Sequence, residues 1–191
     1  MSTKVQATIE DLYALPHNVK AEIVDGEIVL MSPTGDMPNR AGGSIYISLR
    51  QHEGRTPGRA YTDNVGFQVY LPNRESFSPD AAWHIGPTTG MKFLEGAPVF
   101  AVEVRSEYDY GPAAETAMAE KRLDYFAAGT QVVWDADLLA VDVELSPTTP
   151  TVPTLREFSV AATSPMLSLP YPAGECPWTN SLANIRSELD S

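Results

Sequence analysis

The chain has 191 residues, of which 43% are hydrophobic and 20% are charged, a composition that is typical of one globular domain spanning residues 1–191. Its formal net charge of −12 opposes strong non-specific attraction to a phosphate backbone. The single cysteine, Cys176, excludes an internal disulfide and a cysteine-rich zinc site, and the three histidines lack zinc-ligand spacing.

The sequence shows no sign of a membrane span or of a targeting segment. No apolar run approaches the roughly 20 residues that cross a bilayer, and the first residues, MSTKVQATIEDLY, lack the apolar core of a signal peptide. We therefore expect no membrane association and a cytoplasmic location.

The N-terminal part of the chain is predicted to contain two helices, a hairpin and a strand. Thr8 is a good helix cap, Asp25-Gly26 is a typical hairpin turn, and apolar residues then recur at helical and later at alternating spacing. The predicted helices cover residues 8–15 and 40–52, the hairpin residues 22–31 and the strand residues 65–71.

Two predicted strands each carry a carboxylate. The alternating stretch SPDAAWHI at residues 78–85 places Asp80 on the same face as Ala82 and His84. The run VFAVEV at residues 99–104 is typical of a strand that is buried on both faces, and Glu103 interrupts it. On its own, Asp80 is also explained as a turn residue after Pro79, and Glu103 as a member of an ion pair.

A third charged residue lies on a predicted helix over residues 111–129, which Gly-Pro precedes and Gly ends. Helical spacing puts Lys121 on the core-facing side. The residues that share this side are Ala114, Met118, Tyr125 and Ala128, whereas Glu120 and Asp124 fall on the opposite side. Burial of an unpaired charge is costly, so Lys121 indicates a partner or a reaction; the alternative is a lysine whose ammonium reaches water.

The C-terminal third is predicted to add strands and irregular segments. The strands cover residues 131–137, 140–145 and 155–160, a loop covers 146–154, and an irregular tail begins at 164 and ends in a helix at 181–189. Helices and strands are interspersed throughout, which predicts the α/β class.

These features together resemble the Uma2 (DUF820) family of restriction-endonuclease-like proteins, which belongs to the PD-(D/E)XK nuclease superfamily. The resemblance begins with AEIVDGEIVLMSP at residues 21–33 and covers most of residues 8–170. It continues through Pro79-Asp80, Glu103-Val104-Arg105-Ser106, Lys121, Tyr125, Gly129 and Trp134. It implies a restriction endonuclease-like mixed β-sheet flanked by α-helices, with an N-terminal β-hairpin.

The resemblance also implies a site and a reaction. Asp80, Glu103 and the backbone carbonyl of Val104 would bind Mg²⁺ or Mn²⁺, for which hard oxygen ligands are suited. Lys121 would stabilise charge in the transition state, since Arg105 holds the usual place of the superfamily's lysine. Glu22 matches an acidic position of the family and would complete the site, although it also fits an exposed hairpin residue.

The implied activity is a Mg²⁺-dependent endonuclease that hydrolyses phosphodiester bonds in nucleic acid, DNA in the first place. The sequence departs from the family at Asn39, Glu107 and Val132, none of which is an expected metal ligand. The acidic net charge keeps two alternatives open: a non-catalytic binding or regulatory module, and a metal-dependent hydrolase of small phosphoesters. Against the overall charge, residues 40–59 contain four arginines and one acidic residue, a local surplus of +3 that suits phosphate contacts.

A homodimer is also expected. Nucleases that cut both strands commonly pair two copies, and the apolar residues Val132, Val133 and Trp134 must be covered.

Overall fold

The protein is described here by a computed structural model, which covers residues 6–16, 19–139 and the backbone of 144–148. This part of the chain forms three helices and ten strands. The helices are α1 (Ile9–Tyr13), α2 (Asp36–Arg50) and α3 (Pro112–Ala127). The strands are β1 (Ala21–Val24), β2 (Glu27–Leu30), β3 (Arg59–Thr62), β4 (Phe67–Gln68), β5 (Ser76–Phe77), β6 (Ala81–His84), β7 (Leu94–Glu95), β8 (Phe100–Val104), β9 (Val132–Asp137) and β10 (Glu144–Thr148).

The central layer is a five-stranded mixed sheet in the order β10-β9-β8-β6-β3. Strands β8 and β9 are parallel, and the other neighbours are antiparallel. The crossover between the parallel pair contains α3, as parallel strands require. The described residues also form a two-stranded hairpin, β1-β2, and a three-stranded sheet, β5-β4-β7. The predicted α/β class, with a mixed sheet, flanking helices and an N-terminal hairpin, is confirmed.

The two faces of the central sheet pack against different partners because β6 and β8 are apolar on both faces. Trp83 and Val102 contribute to a core cluster with Ile45 and Leu49 of α2. The intervening residues face the opposite way, into a second cluster that includes Tyr125 of α3. These intervening residues are Ala82 on β6 and Ala101 on β8. Helices α2 and α3 therefore lie on opposite faces of the sheet, and α3 brings its buried side to β8.

The hairpin forms where Asp25-Gly26 predicts it. Asp25 and Gly26 have φ angles of 51° and 71°, as a two-residue turn between twisted strands requires. The hairpin is fastened to the segment that precedes β5, because Asp25 N–H donates to the Asn73 carbonyl at 2.8 Å and Glu75 N–H donates to the Ile23 carbonyl at 3.1 Å. This docking fixes where the side chains of β1 point.

The three predicted helices that fall within the described residues are confirmed, with one start that is clearly shifted. Thr8 caps α1 in a capping box with Asp11, and α3 lies between Gly111 and Gly129. Helix α2 begins at Asp36, four residues before the predicted start at residue 40. Pro38 lies in its first turn, where the missing N–H needs no intrahelical partner, so a residue that is usually a helix breaker is tolerated there.

Two predictions, one of a strand and one of a loop, need correction. The alternating stretch at residues 65–71 is a strand only at Phe67–Gln68, because Val69 and Leu71 bond with residues 74 and 75 in a local loop. The predicted loop at 146–154 begins as part of β10, whose position at the sheet edge tolerates Pro147. The predictions for residues 140–143 and for everything after 148, including the strand at 155–160 and the helix at 181–189, lie outside the described residues.

The apolar run that motivated the expected dimer is covered within the chain. Val132, Val133 and Trp134 lie in β9, which is hydrogen-bonded on both sides, and each of the three is at most 7% exposed. This part of the argument for a homodimer was wrong, because neighbouring strands and both core clusters bury these side chains. Among the helices of the described residues, none combines the length and apolarity that crossing a membrane requires.

Candidate active site

Two neighbouring antiparallel strands bring the predicted carboxylates together. Strand β6 pairs with β8 in a register that sets Ala81 across from Val102, and Asp80 directly precedes β6 at the end of this pairing. The Asp80 backbone N–H donates to the Val102 carbonyl at 3.0 Å. The Asp80 carboxylate then accepts from the Val104 N–H, with 2.7 Å between Oδ2 and N. Asp80 is thus bonded to the residues on both sides of Glu103 and is held as part of the site.

Helix α3 delivers Lys121 to the same place. Its Nζ lies 3.0 Å from Glu103 Oε2 and 3.0 Å from Glu22 Oε1, and its side chain is only 19% exposed. The alternative of an ammonium reaching bulk water is therefore wrong. One turn later Tyr125, which is fully buried, donates from its hydroxyl to Glu103 Oε1 at 2.6 Å. Lys121 and Tyr125 are four residues apart and hold the two oxygens of one carboxylate.

Glu22 is buried behind Lys121. It is only 2% exposed, so its interpretation as an exposed hairpin residue is wrong. Besides Lys121, it accepts from the Ser78 N–H at 2.8 Å and from Arg74, with 2.6 Å between Oε2 and the guanidinium. Glu22 thereby fixes the position of the Lys121 ammonium, and the docked hairpin fixes Glu22.

Arg74 and Asp124 extend this network, and the sequence prediction missed both. Arg74 Nε donates to Asp124 Oδ2 at 2.8 Å while its other arm binds Glu22. Asp124 was placed on the opposite side of α3 from Lys121, but its side chain is only 14% exposed because Arg74 draws it against the protein; Glu120 is exposed as predicted. Arg74 lies in a segment rich in turn residues, which has no helical or strand periodicity, so the sequence does not indicate that its side chain is buried.

Lys20 is the other residue that the sequence prediction missed. Its Nζ lies 2.5 Å from Asp63 Oδ1 and 3.1 Å from Asp80 Oδ1. Lys20 stands two residues before Glu22 in extended chain, where alternate side chains share a face, so both point toward the site. That spacing is the signal in the sequence that identifies Lys20.

The electrostatics of the site follow from this crowding. Burial, aided by the charges of Asp80 and Glu22 and opposed by Lys121 and Tyr125, raises the pKa of Glu103 to about 7. Burial alone would lower the pKa of Lys121, but the carboxylates of Glu103 and Glu22 raise it above its ordinary value. Burial alone would raise the pKa of Glu22, but Lys121 and Arg74 lower it. Lys121 is therefore charged near neutral pH, whereas the carboxyl group of Glu103 titrates in this range.

Arg105, two residues after Glu103, has other partners than Glu103. Its Nε and one terminal nitrogen bind the two oxygens of Asp135 at 2.8 Å each, and it also binds Glu115. Its guanidinium lies 5.7 Å from the ring centre of Tyr110. The geometry thus gives the contact with Glu103 to Lys121 and uses Arg105 in a separate ion-pair network.

The donor set of the site suits a hard divalent cation. Two ion-pair networks meet at the site, one around Lys20 and one around Arg74 and Lys121; together they contain five carboxylates and three cationic side chains, which leaves a formal charge of −2. Asp80, Glu103 and the Val104 carbonyl would be the oxygen ligands of such a cation, and Mg²⁺ needs few protein ligands because it keeps several waters. No cluster of three or more histidine, cysteine, aspartate or glutamate side chains suited to a metal occurs in residues 6–16 and 19–139. A cation here would therefore rely on two carboxylates, whose oxygens already accept bonds from Lys20, Val104, Lys121 and Tyr125.

Comparisons with known proteins agree with the fold. The chain matches the family Uma2, described as "Putative restriction endonuclease", over residues 9–166. It is also similar to the crystal structure of a protein from Anabaena variabilis ATCC 29413, described as a putative nuclease belonging to DUF820. The two chains are 18% identical, the match covers 69% of this chain and 74% of the other, and the TM-score is 0.54. A comparison with curated proteins finds no match.

Proposed function

Since the chain belongs to the Uma2 family, we propose that it is a nuclease that uses Mg²⁺ or Mn²⁺ to hydrolyse phosphodiester bonds in nucleic acid, DNA in the first place. One observation carries the proposal: Asp80 is hydrogen-bonded to Val102 and Val104, the two neighbours of Glu103, and Lys121 reaches Glu103 from α3. An ion pair that served stability alone would not need this surplus of carboxylates, since burying charges costs free energy.

Each residue has a distinct role in the proposed reaction. Asp80, Glu103 and the Val104 carbonyl would hold the cation, which when bound supplies Lewis-acid polarisation of a phosphoryl oxygen. The Lys121 ammonium would stabilise negative charge that develops on the phosphate in the transition state. Glu22 would act as a positioning residue, because it is buried and holds the Lys121 ammonium at 3.0 Å. Keeping Lys121 fixed before the reaction avoids the cost of reorienting it during the reaction.

The approach of nucleic acid is supported by a local basic surface. Arg40, Arg50, Arg55 and Arg59 are all exposed on α2, β3 and the segment between them. Gly42 of α2 lies close to Asp80, since a Cβ built at Gly42 would be 3.6 Å from the Asp80 side chain. We propose that the phosphate backbone contacts this surface, which offsets locally the repulsion expected from the overall charge of −12.

The test is cleavage of single- and double-stranded DNA and RNA with Mg²⁺ or Mn²⁺ at low salt, where backbone affinity is greatest. Glu103→Gln should abolish cleavage, and Lys121→Met should reduce it strongly while metal binding persists. The matched controls are Glu120→Gln, on the exposed side of α3, and Lys92→Met, an exposed lysine that packs over Tyr13. Both controls should cleave like the wild type.

A non-catalytic binding or regulatory module is the second candidate function. It is favoured by the internal pairing of the site, in which all four oxygens of Asp80 and Glu103 already have protein donors. The acidic overall charge also suits a third candidate, a metal-dependent hydrolase of small phosphoesters. Wild type that cuts no nucleic acid at low salt would contradict the nuclease proposal. Turnover of a chromogenic phosphodiester would then favour the hydrolase of small phosphoesters over the binding or regulatory module.

The assembly and the location of the protein also belong to the proposal. We propose a homodimer, because nucleases that cut both strands of a duplex commonly pair two copies. Exposed Val29 and Leu30 on β2, which pairs with β1 alone among the described strands, offer an apolar edge for a second copy. The cytoplasmic location remains a prediction from the sequence.

A further inference from the structure

We propose that Lys20 is the built-in counter-ion of the metal site, which occupies the Asp80 carboxylate in the absence of metal and moves wholly to Asp63 when a divalent cation binds. This inference rests on the proposed function, because it requires a cation at Asp80. It goes beyond that function by assigning a role to two residues, Lys20 and Asp63, that the family motif does not include.

The position of the Lys20 ammonium is the first reason. Its Nζ lies between two carboxylates, 3.1 Å from Asp80 Oδ1 and 2.5 Å from Asp63 Oδ1. The other Asp80 oxygen, Oδ2, accepts the Val104 N–H at 2.7 Å. Oδ1 is therefore the Asp80 oxygen that would bind a metal ion, and the Lys20 ammonium is hydrogen-bonded to this oxygen. A divalent cation at about 2 Å from the same oxygen would face the ammonium at a separation where like charges repel strongly.

The second reason is that Lys20 already has another partner. Asp63 is held in place, because its Oδ1 also accepts the Asn64 N–H at 2.7 Å. The Lys20 backbone is fixed as well, since its carbonyl accepts the Met31 N–H across the hairpin at 2.9 Å. A rotation within the lysine side chain is therefore enough to leave Asp80 and to keep the ion pair with Asp63. No movement of the hairpin is needed.

The contrast with Lys121 is the third reason. Lys121 is bonded to Glu103 and also to Glu22, which is buried and held by Arg74 and the Ser78 N–H. Lys20 instead pairs with Asp63, which is 34% exposed at the margin of the site. The two lysine side chains are equally exposed, at 19%, and differ in their partners: Lys121 is held by the buried Glu22, whereas Lys20 is paired with the more exposed Asp63.

The experiment measures Mn²⁺ binding by isothermal titration, which does not depend on activity. The variants are Lys20→Met, Asp63→Asn and the double variant, with Lys92→Met as the control for loss of an exposed lysine charge. Lys20→Met should bind Mn²⁺ about tenfold more tightly than wild type, because the competing charge is gone. Asp63→Asn should bind about tenfold more weakly, because Lys20 then has only Asp80. Lys92→Met should bind like wild type.

The double variant separates displacement of Lys20 from general electrostatics. If Asp63 acts by receiving Lys20, Asp63→Asn should have little effect once Lys20 is methionine. An equal weakening in both backgrounds would overturn the inference, as would a Lys20→Met variant that binds Mn²⁺ no more tightly than wild type. These outcomes leave the nuclease proposal in place. If neither wild type nor Lys20→Met binds Mn²⁺, the metal site itself fails and the inference with it. Should Lys20→Met not fold, as judged by circular dichroism, Lys20→Gln takes its place.

Discussion

Replacement of Glu103 by glutamine should change how the stability of the metal-free protein depends on pH. The pKa of Glu103 is raised from its ordinary value of 4.5 to about 7 in the folded state. Between these two values the folded protein keeps a proton that the unfolded chain has released, so wild type loses stability as pH rises through this window. The stabilisation from the protonated carboxyl is complete below about pH 4.5 and is lost above pH 7. The full difference amounts to about 3 kcal/mol.

Glutamine cannot release a proton, so the Glu103→Gln variant should not lose this stability as the pH rises. The free energy of unfolding can be measured with urea in the presence of EDTA at several pH values between 4.5 and 8. The difference between the variant and wild type should shift in favour of the variant by up to about 3 kcal/mol as the pH rises. Glu120→Gln, which removes a carboxylate from the exposed side of the same helix, is the matched control. Parallel pH profiles for wild type and Glu103→Gln would refute the electrostatic description of the site.

Two further predictions concern the ion-pair network and the assembly. Arg74→Met leaves Glu22 and Asp124 without their shared cation, so urea unfolding should show a loss of about 3 kcal/mol, whereas Arg59→Met at an exposed position should change stability by less than about 0.5 kcal/mol. Equal effects of the two substitutions would contradict the buried network. Light scattering at micromolar concentration should give twice the chain mass of 20.8 kDa, and a monomer mass would refute the homodimer.

The parts of the fold that the sequence predicts are those set by local patterns. The Asp25-Gly26 turn, the Thr8 cap and the glycines around α3 each act within a few residues, and the structure has all three. The period of α3 alone was enough to place Lys121 and Tyr125 on the buried side. Helix α2 shows the limit of such patterns, because Pro38 in its first turn obscured its true start.

The network around the carboxylates was less predictable because it joins residues that are far apart in the chain. Lys20 and Asp80 are 60 residues apart, and Glu22 and Arg74 are 52 apart. No periodicity within either segment indicates such a pair; only the docking of the hairpin onto residues 73–76 brings them together. Helical spacing assigned Asp124 to the exposed side of α3 for the same reason, because the spacing within one helix carries no information about Arg74, which lies in another part of the chain.

The central claim is that Asp80 and Glu103 hold a divalent cation, and the most direct test is anomalous scattering from crystals grown or soaked with Mn²⁺. We predict one anomalous peak about 2 Å from carboxylate oxygens of both residues and from the Val104 carbonyl, with the Lys20 ammonium on Asp63 alone. Crystals with millimolar Mn²⁺ that show no peak at this site, and in which Lys20 remains on Asp80, would contradict the claim.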